Sequence, residues 1–197
     1  MAKNKPKNDY RVILTRKMFR QALTTLLIKN TLQSITIKEL CDVAGVNRGT
    51  FYSHYADIYD LMDSIEKEML VELKRTIEEF QVNNEKNRGG SPFSIYFFIF
   101  SFFLKNTDMC TILLGENSDR RFVTQLLDMG QKMCIQIYSP KYPKASEKDI
   151  TMFYNFIASG CIGLLQYWIN NGMTMPVDEI SVVIENIISG AERFFKK

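Results

Sequence analysis

The stretch that most constrains this chain is TIKELCDVAGVNRGTFYSHY, residues 36–55. Thr36 and Glu39 have the S/T-x-x-E spacing of a capping box, which satisfies two orphan amides at a helix start. Ile37, Leu40, Cys41 and Ala44 then fall at i, i+3, i+4 and i+7, one apolar stripe on one helix face. Gly45 stands where a left-handed residue stops that helix, and Asn47 is a good cap for a second helix beginning at Arg48. Two short helices joined by a tight turn predict a helix-turn-helix, whose second helix enters the DNA major groove with its N-terminal end leading. Phe51 and Tyr55, four apart, can face the core together, which leaves Arg48, Gly49, Tyr52 and Ser53 turned outward.

The rest of the chain narrows the surroundings of that motif. At 197 residues it makes one domain, or one small and one medium domain. With 46% hydrophobic and 24% charged residues, the composition is that of a soluble globular protein. The start MAKNKPKNDYR lacks an apolar signal-peptide core. The apolar run Phe93 to Leu104 is far shorter than the roughly 20 residues a membrane helix needs. The expectation is a cytoplasmic protein with no membrane partner. Cys41, Cys110, Cys134 and Cys161 form no C-x-x-C pair and read as reduced, buried small hydrophobes. His54 is the single histidine, so no histidine-rich metal site is expected, and neither metal nor cofactor is called for. No nucleophile–base pair, Gly-rich phosphate loop or carboxylate cluster accompanies it, which argues against an enzyme.

The net charge of +3 hides a division. Residues 1–58 hold 10 Lys and Arg against 4 Asp and Glu, whereas residues 59–197 hold 15 against 18. A basic N-terminal part on an acidic remainder suits a DNA-binding head on a separate body. Met1 to about Asn8 reads as a disordered tail whose Lys3, Lys5 and Lys7 either follow a phosphate backbone or simply solubilise the chain.

Periodicity predicts helices throughout. The first, from about Asp9 to Asn30, places Val12, Phe19, Leu23, Leu26 and Leu27 inward. Asp57 and Asp60 suit the positive N-terminus of another, which runs to about Val82 on the stripe Leu61, Ile65, Met69, Leu73, Ile77 and Phe80. NNEKNRGGS, residues 83–91, is a loop by composition. Ser91-Pro92 offers a cap and a first-turn proline to FSIYFFIFSFFL, which is apolar on every face and predicts a central helix surrounded by others. Further helices are expected from Thr107 to Leu114, from Asp119 to Tyr138 (ended by Ser139-Pro140), from the Ser146/Asp149 cap to Asn171 (ended by Gly172), and from Val177 to Phe195. No sustained alternation of period two occurs, so the chain is all-α with about nine helices, a three-helix head on a larger body.

With these helices laid out, the chain resembles the TetR family of bacterial transcriptional regulators. The specific part is Thr36 to Leu61: a T-x-x-E-L helix, AGVNRGTFYSHY, then D-x-Y-D-L. The C-terminal part is similar in helix count and length, with a looser likeness to a Firmicute-type branch. The resemblance implies a homodimer on a palindromic double-stranded operator, with residues 1–56 as DNA-binding head and 57–197 as effector-binding and dimerisation body. Carried over by residue, it implies that Thr36 and Lys38 touch phosphate or a base edge, that Arg48, Gly49 and Thr50 lead into the groove, and that Tyr52 and His54 hold phosphates; Asn47, the cap of the recognition helix, is counted with these DNA-binding residues. Arg48 can donate a bidentate pair to guanine, worth about 1–3 kcal/mol of discrimination. Thr50 can offer a hydroxyl to phosphate or a methyl to thymine. One departure stands out: the family usually has a lysine where this chain has Ile58, and Ala56 stands where a basic residue is common.

Phe93, Tyr96, Phe97, Phe100, Phe103, Phe153, Tyr154, Phe156 and Trp168 give the body a large aromatic content, which is core by default. In this family such a body encloses an effector pocket, and Tyr96, Phe97, Phe100, Tyr154 and Trp168 are its candidate lining for a small apolar or aromatic effector. By the same analogy the last two long helices form the dimer interface, through Gly160, Gly163, Leu164, Val183 and Ile187. Two readings follow: a repressor released by a small molecule, or a regulator or activator controlled by a protein partner.

Overall fold

Apolar stripes at helical spacing become helices along the chain. Its structure, a computed structural model, describes residues 5–86, 94–114 and 120–195. Among these residues there are nine α-helices and no strand: α1 Lys5–Leu27, α2 Ile37–Ala44, α3 Arg48–Tyr52, α4 Ile58–Lys86, α5 Ile95–Lys105, α6 Thr107–Leu113, α7 Arg121–Lys141, α8 Glu147–Asn170 and α9 Val177–Ala191. The chain divides into two compact units, Met1–Met69 and Leu70–Lys197.

In the first unit α1 packs along α2 and α2 meets α3. Phe19, Leu23, Leu40, Phe51 and Leu61 are wholly buried. Phe19 meets Phe51 edge to face, with ring centroids 5.4 Å apart, and Tyr55 at 6.1 Å. Such aromatic pairs contribute about 0.5–1.5 kcal/mol beyond the area they bury. Ile35 joins this core, as do Ile65 and Met69 on the α4 stripe. Val12, Leu26, Leu27 and Ile37 are only half-buried, because they sit at the edges of their stripes. The expected tail is shorter than Met1 to Asn8: α1 already begins at Lys5, and residues 1–4 lie outside the described residues.

In the second unit α7 packs along α8, α5 along α9, and α6 against α8. Trp168 is buried against Phe100 at 5.3 Å, and its indole N–H donates to the Met175 carbonyl at 2.9 Å. The α8 terminus is a Schellman arrangement: Gly172, at φ 68°, donates to the Ile169 carbonyl at 3.0 Å and Met173 to that of Trp168 at 2.8 Å.

Several expectations for this unit are corrected. Asn83–Lys86 continue α4 rather than open a loop; the rest of that loop, the Ser91-Pro92 cap and Phe93 lie outside the described residues. The helix α5 is not enclosed on all sides: Phe100, Phe102 and Phe103 are buried, Ile95 through Ile99 half-buried and Leu104 exposed. Pro140 does not end α7, because a proline in the last turn removes only one backbone donor and Tyr142 still donates to the Tyr138 carbonyl at 2.8 Å. Phe156 points outward, 77% exposed, instead of into the core. Cys134 and Cys161 are only half-buried, for a reason given below. No helix among the described residues is long and apolar enough to cross a membrane.

Candidate nucleic-acid interface and the body cavity

The capping box that opens α2 is formed on both sides. The Glu39 amide donates to Thr36 Oγ1 at 3.2 Å, while the Thr36 amide and hydroxyl donate to Glu39 Oε2 at 2.9 and 2.7 Å. These bonds, the hydroxyl's foremost, hold the Glu39 carboxyl below its ordinary pKa. Gly45 takes the left-handed conformation at φ 66°, with its amide and that of Val46 returning to the Asp42 and Cys41 carbonyls. A side chain is strained in that conformation. The turn then delivers Asn47, whose Oδ1 accepts from the Thr50 amide at 2.7 Å and the Thr50 hydroxyl at 3.0 Å. A Cβ on Gly49 would come within 3.3 Å of the same Oδ1, so glycine here relieves the cap as well as baring the backbone.

This geometry sorts the residues expected to meet DNA. Thr36, Lys38, Asn47, Arg48, Gly49 and Tyr52 are exposed; Thr50 and His54 are half-buried. The hydroxyls of Thr36 and Thr50 and the Oδ1 of Asn47 are already engaged in caps and position the helices, while among the described residues the Asn47 Nδ2 keeps its two donors. Among the described residues, Lys38, Arg48 and Tyr52 make no side-chain hydrogen bond or ion pair and keep their donors for an outside partner. Phe51, buried beneath α3, meets the Tyr52 ring at 5.6 Å and anchors the helix that carries Arg48. His54 lies beside the Tyr55 ring at 6.0 Å.

The start of α4 differs from a phosphate site. Ile58 is buried and fills space in the core of the head. The Asp60 amide donates to Asp57 Oδ1 at 2.8 Å, and the Ala56 amide to Asp60 Oδ2 at 2.9 Å. Two carboxylates therefore close this helix start and consume amides that an anion could otherwise use.

The second unit holds a partly open cavity of about 240 Å³ lined by α4, α5, α7, α8 and α9. Ile95, Tyr96, Ile99, Phe100 and Phe103 line it from one stripe of α5, which is why the start of that helix is incompletely buried. Tyr154, Cys161 and Cys134 also line it, so the two thiols are half-buried because they face a cavity. Burial raises both thiols to a pKa of about 11, so they are protonated and unreactive at neutral pH. Phe97 and Trp168, both expected at a pocket, are not among the lining residues; Trp168 is instead fixed by Phe100 and the Met175 carbonyl.

Two features of this region escaped sequence reasoning. On Gly130 of α7 a Cβ would meet the Tyr154 ring carbon Cζ at 3.1 Å, with the hydroxyl nearer still. That hydroxyl donates to the Leu127 carbonyl at 2.8 Å. A glycine in mid-helix was the visible signal, without its partner. At the end of α7, Tyr138 and Lys141 donate to Glu192 Oε1 at 2.7 and 2.8 Å, and Tyr142 to Oε2 at 3.0 Å. Burial opposes the charge on Glu192, but the bonds from Lys141, Tyr138 and Tyr142 outweigh it and hold the carboxyl below its ordinary range.

A small aromatic-cored head presenting a capped helix, in a chain whose described residues are otherwise helical, has the architecture of a helix-turn-helix transcription regulator. Residues 91–190 match the TetR-type family described as "Transcriptional regulator C-terminal region". The chain belongs to the TetR family of transcriptional regulators. It is similar to the uncharacterized HTH-type transcriptional regulator YxbF of Bacillus subtilis (strain 168), 19% identical over 182 residues. That match covers 89% of this chain but 45% of YxbF, so the chain spans less than half the length of this relative. Among solved structures it is similar to a TetR transcriptional regulator from Streptococcus agalactiae 2603V, 21% identical with TM-score 0.61, covering 94% of this chain and 99% of that one. It is also similar to the dihydroxyacetone kinase operon activator DhaS, 15% identical with TM-score 0.61, covering 90% of this chain and 96% of that one. At these identities the structures establish the shared fold alone.

Proposed function

We propose that the protein is a sequence-specific transcriptional repressor of the cytoplasm, which seats two heads of a homodimer on a palindromic operator and is released by a small apolar or aromatic effector. Residues 1–56 bind DNA, and residues 57–197 hold the effector and dimerise. The observation that carries the DNA reading is Arg48, exposed at the first position of a capped helix with its guanidinium uncommitted among the described residues. Arg48 reads guanine, Tyr52 and Lys38 hold phosphate, and Thr36, Asn47 and Thr50 keep the two helices in register.

The cavity supports a small-molecule signal over a docked protein, since an empty apolar space in the body is what such a ligand needs. The α8 surface supports dimerisation. Met152, Phe156 and Tyr167 are exposed on one face with Gly160 and Gly163, and a Cβ on either glycine would meet nothing within 4 Å of its own chain.

Gel shifts with DNA upstream of the protein's own gene test the core of this reading. Arg48→Ala should weaken the specific site by about tenfold or more, the value of one lost bidentate base contact, while changing binding to random DNA far less. Tyr52→Phe should weaken both alike, because a phosphate contact positions without reading sequence. An equal loss on both DNAs for Arg48→Ala would remove its base-reading role. A reporter on the same promoter gives the sign of regulation: expression that falls on deletion of the protein means an activator.

A further inference from the structure

Among the described residues, one tyrosine hydroxyl on the wall of the body cavity has no hydrogen-bond partner. Tyr96, Tyr138 and Tyr154 are the tyrosines that line it. Tyr138 donates to Glu192 at 2.7 Å and Tyr154 to the Leu127 carbonyl at 2.8 Å. Among the described residues Tyr96 has no hydrogen-bond partner, although it is half-buried on α5 and shares the wall with aliphatic, aromatic and thiol side chains. Burial raises the pKa of this hydroxyl, with smaller contributions from Cys161 and Glu192, so it remains a protonated donor. Because no fully buried side-chain nitrogen or oxygen among the described residues lacks a partner, this hydroxyl is open to the cavity space and can donate to an acceptor that a ligand brings, a bond worth about 1 kcal/mol net.

The remaining wall limits the ligand further. No Lys, Arg, Asp, Glu or His lines the cavity among the described residues. A charged ligand would leave water with nothing to compensate it. For size, an apolar cavity of roughly 150 Å³ holds a benzene molecule. A cavity of about 240 Å³ therefore has room for two fused rings or a short hydrocarbon chain.

We propose that the effector is a neutral, apolar molecule of about that size carrying one hydrogen-bond acceptor, typified by a ketone, ester or ether oxygen, which pairs with the Tyr96 hydroxyl. This rests on the reading of the cavity as the effector site and adds the chemistry that the site selects.

Three probes on one carbon skeleton test it by titration calorimetry on the full chain: tetralin, 1-tetralone and tetralin-1-carboxylate. The wild-type protein should bind tetralin and 1-tetralone and reject the carboxylate. Tyr96→Phe should weaken 1-tetralone about five- to tenfold, the value of one net hydrogen bond, and leave tetralin within about twofold. Retained tetralin binding also verifies that the variant keeps its cavity. An equal change for both neutral probes overturns the role of Tyr96, and tighter binding of the carboxylate overturns the neutral class. In either case the cavity reading survives. Failure of the wild-type protein to bind any of the three overturns the effector site itself.

Discussion

Thr50 stands at the third position of α3 with its hydroxyl given to the Asn47 side-chain oxygen, 3.0 Å away. A hydroxyl spent in this way leaves the methyl as the group that can meet DNA. Thr50→Val keeps the shape and a methyl in that place while removing one exposed bond. Its operator affinity should stay within about twofold and its melting temperature within about 2 °C, as for surface changes near 0.5 kcal/mol. A tenfold loss of affinity at unchanged melting temperature would mean that the hydroxyl turns to phosphate on binding. Asn47→Ala acts differently, because it removes the cap of a helix only five residues long. It should cost about 1 kcal/mol of stability. It should also weaken specific and random DNA together, since the whole helix and not one contact loses its position. Gel shifts beside thermal melts separate the two variants. At Ile58 the family likeness identified a missing lysine, and the structure supplies the physical consequence: the side chain is in the core, beside a helix start closed by Asp57 and Asp60.

At the scale of elements, what the sequence reveals is what lies within one helical turn or one cap. The Thr36/Glu39 and Ser146/Asp149 capping boxes, the Gly45 and Gly172 stops and the α4 stripe are all short-range patterns, and all are formed. The interior of the body was not legible, because its decisive pairs join distant residues. Gly130 and Tyr154 are one such pair: the missing Cβ makes room for a hydroxyl bonded to Leu127. Gly130→Ala should cost about 1–3 kcal/mol through overpacking. It should cost less in a Tyr154→Phe background, where the nearest clashing atom is gone; an unchanged cost would place the strain elsewhere. Glu192 is another, bonded to residues about fifty positions away. Glu192→Gln weakens charged hydrogen bonds and should cost about 1–2 kcal/mol, or about 2–8 °C in melting temperature. Because the folded carboxyl lies below its ordinary pKa of 4.5, its contribution is fully present above that value and lost as the pH falls through the lower folded value. Lys141 is shifted upward: desolvation opposes the shift, but the bond and charge of Glu192 prevail, so its share is lost only above the ordinary 10.5. The melting difference between wild type and Glu192→Gln should therefore be flat from about pH 5 to 10 and shrink outside that window. A slope across neutral pH would assign the stabilisation to some other group.

At the scale of the molecule, the helix that one head offers has five residues, a short element to hold a particular site in a genome by itself. In the proposed reading, affinity for an operator comes from two heads held together, where the second binds as an intramolecular event. The proposed surface for that coupling is the α8 face of Met152, Phe156, Gly160, Gly163 and Tyr167, with Val183 and Ile187 exposed on α9 and Leu164 half-buried. Phe156 is the sharpest probe, since its side chain is 77% exposed and truncating or charging it removes nothing from its own core. Phe156→Arg should convert a species of twice 22.9 kDa into one of 22.9 kDa in sedimentation equilibrium, with an unchanged far-ultraviolet spectrum. Affinity for a palindromic operator should fall by a factor on the order of 10² to 10⁴, the usual gain from linking two sites, while affinity for a single half-site stays the same. Gly160→Leu should act in the same direction, because it fills the space where a second helix would approach. If both variants remain dimers, the heads are joined through another face, and these exposed apolar residues serve a different partner.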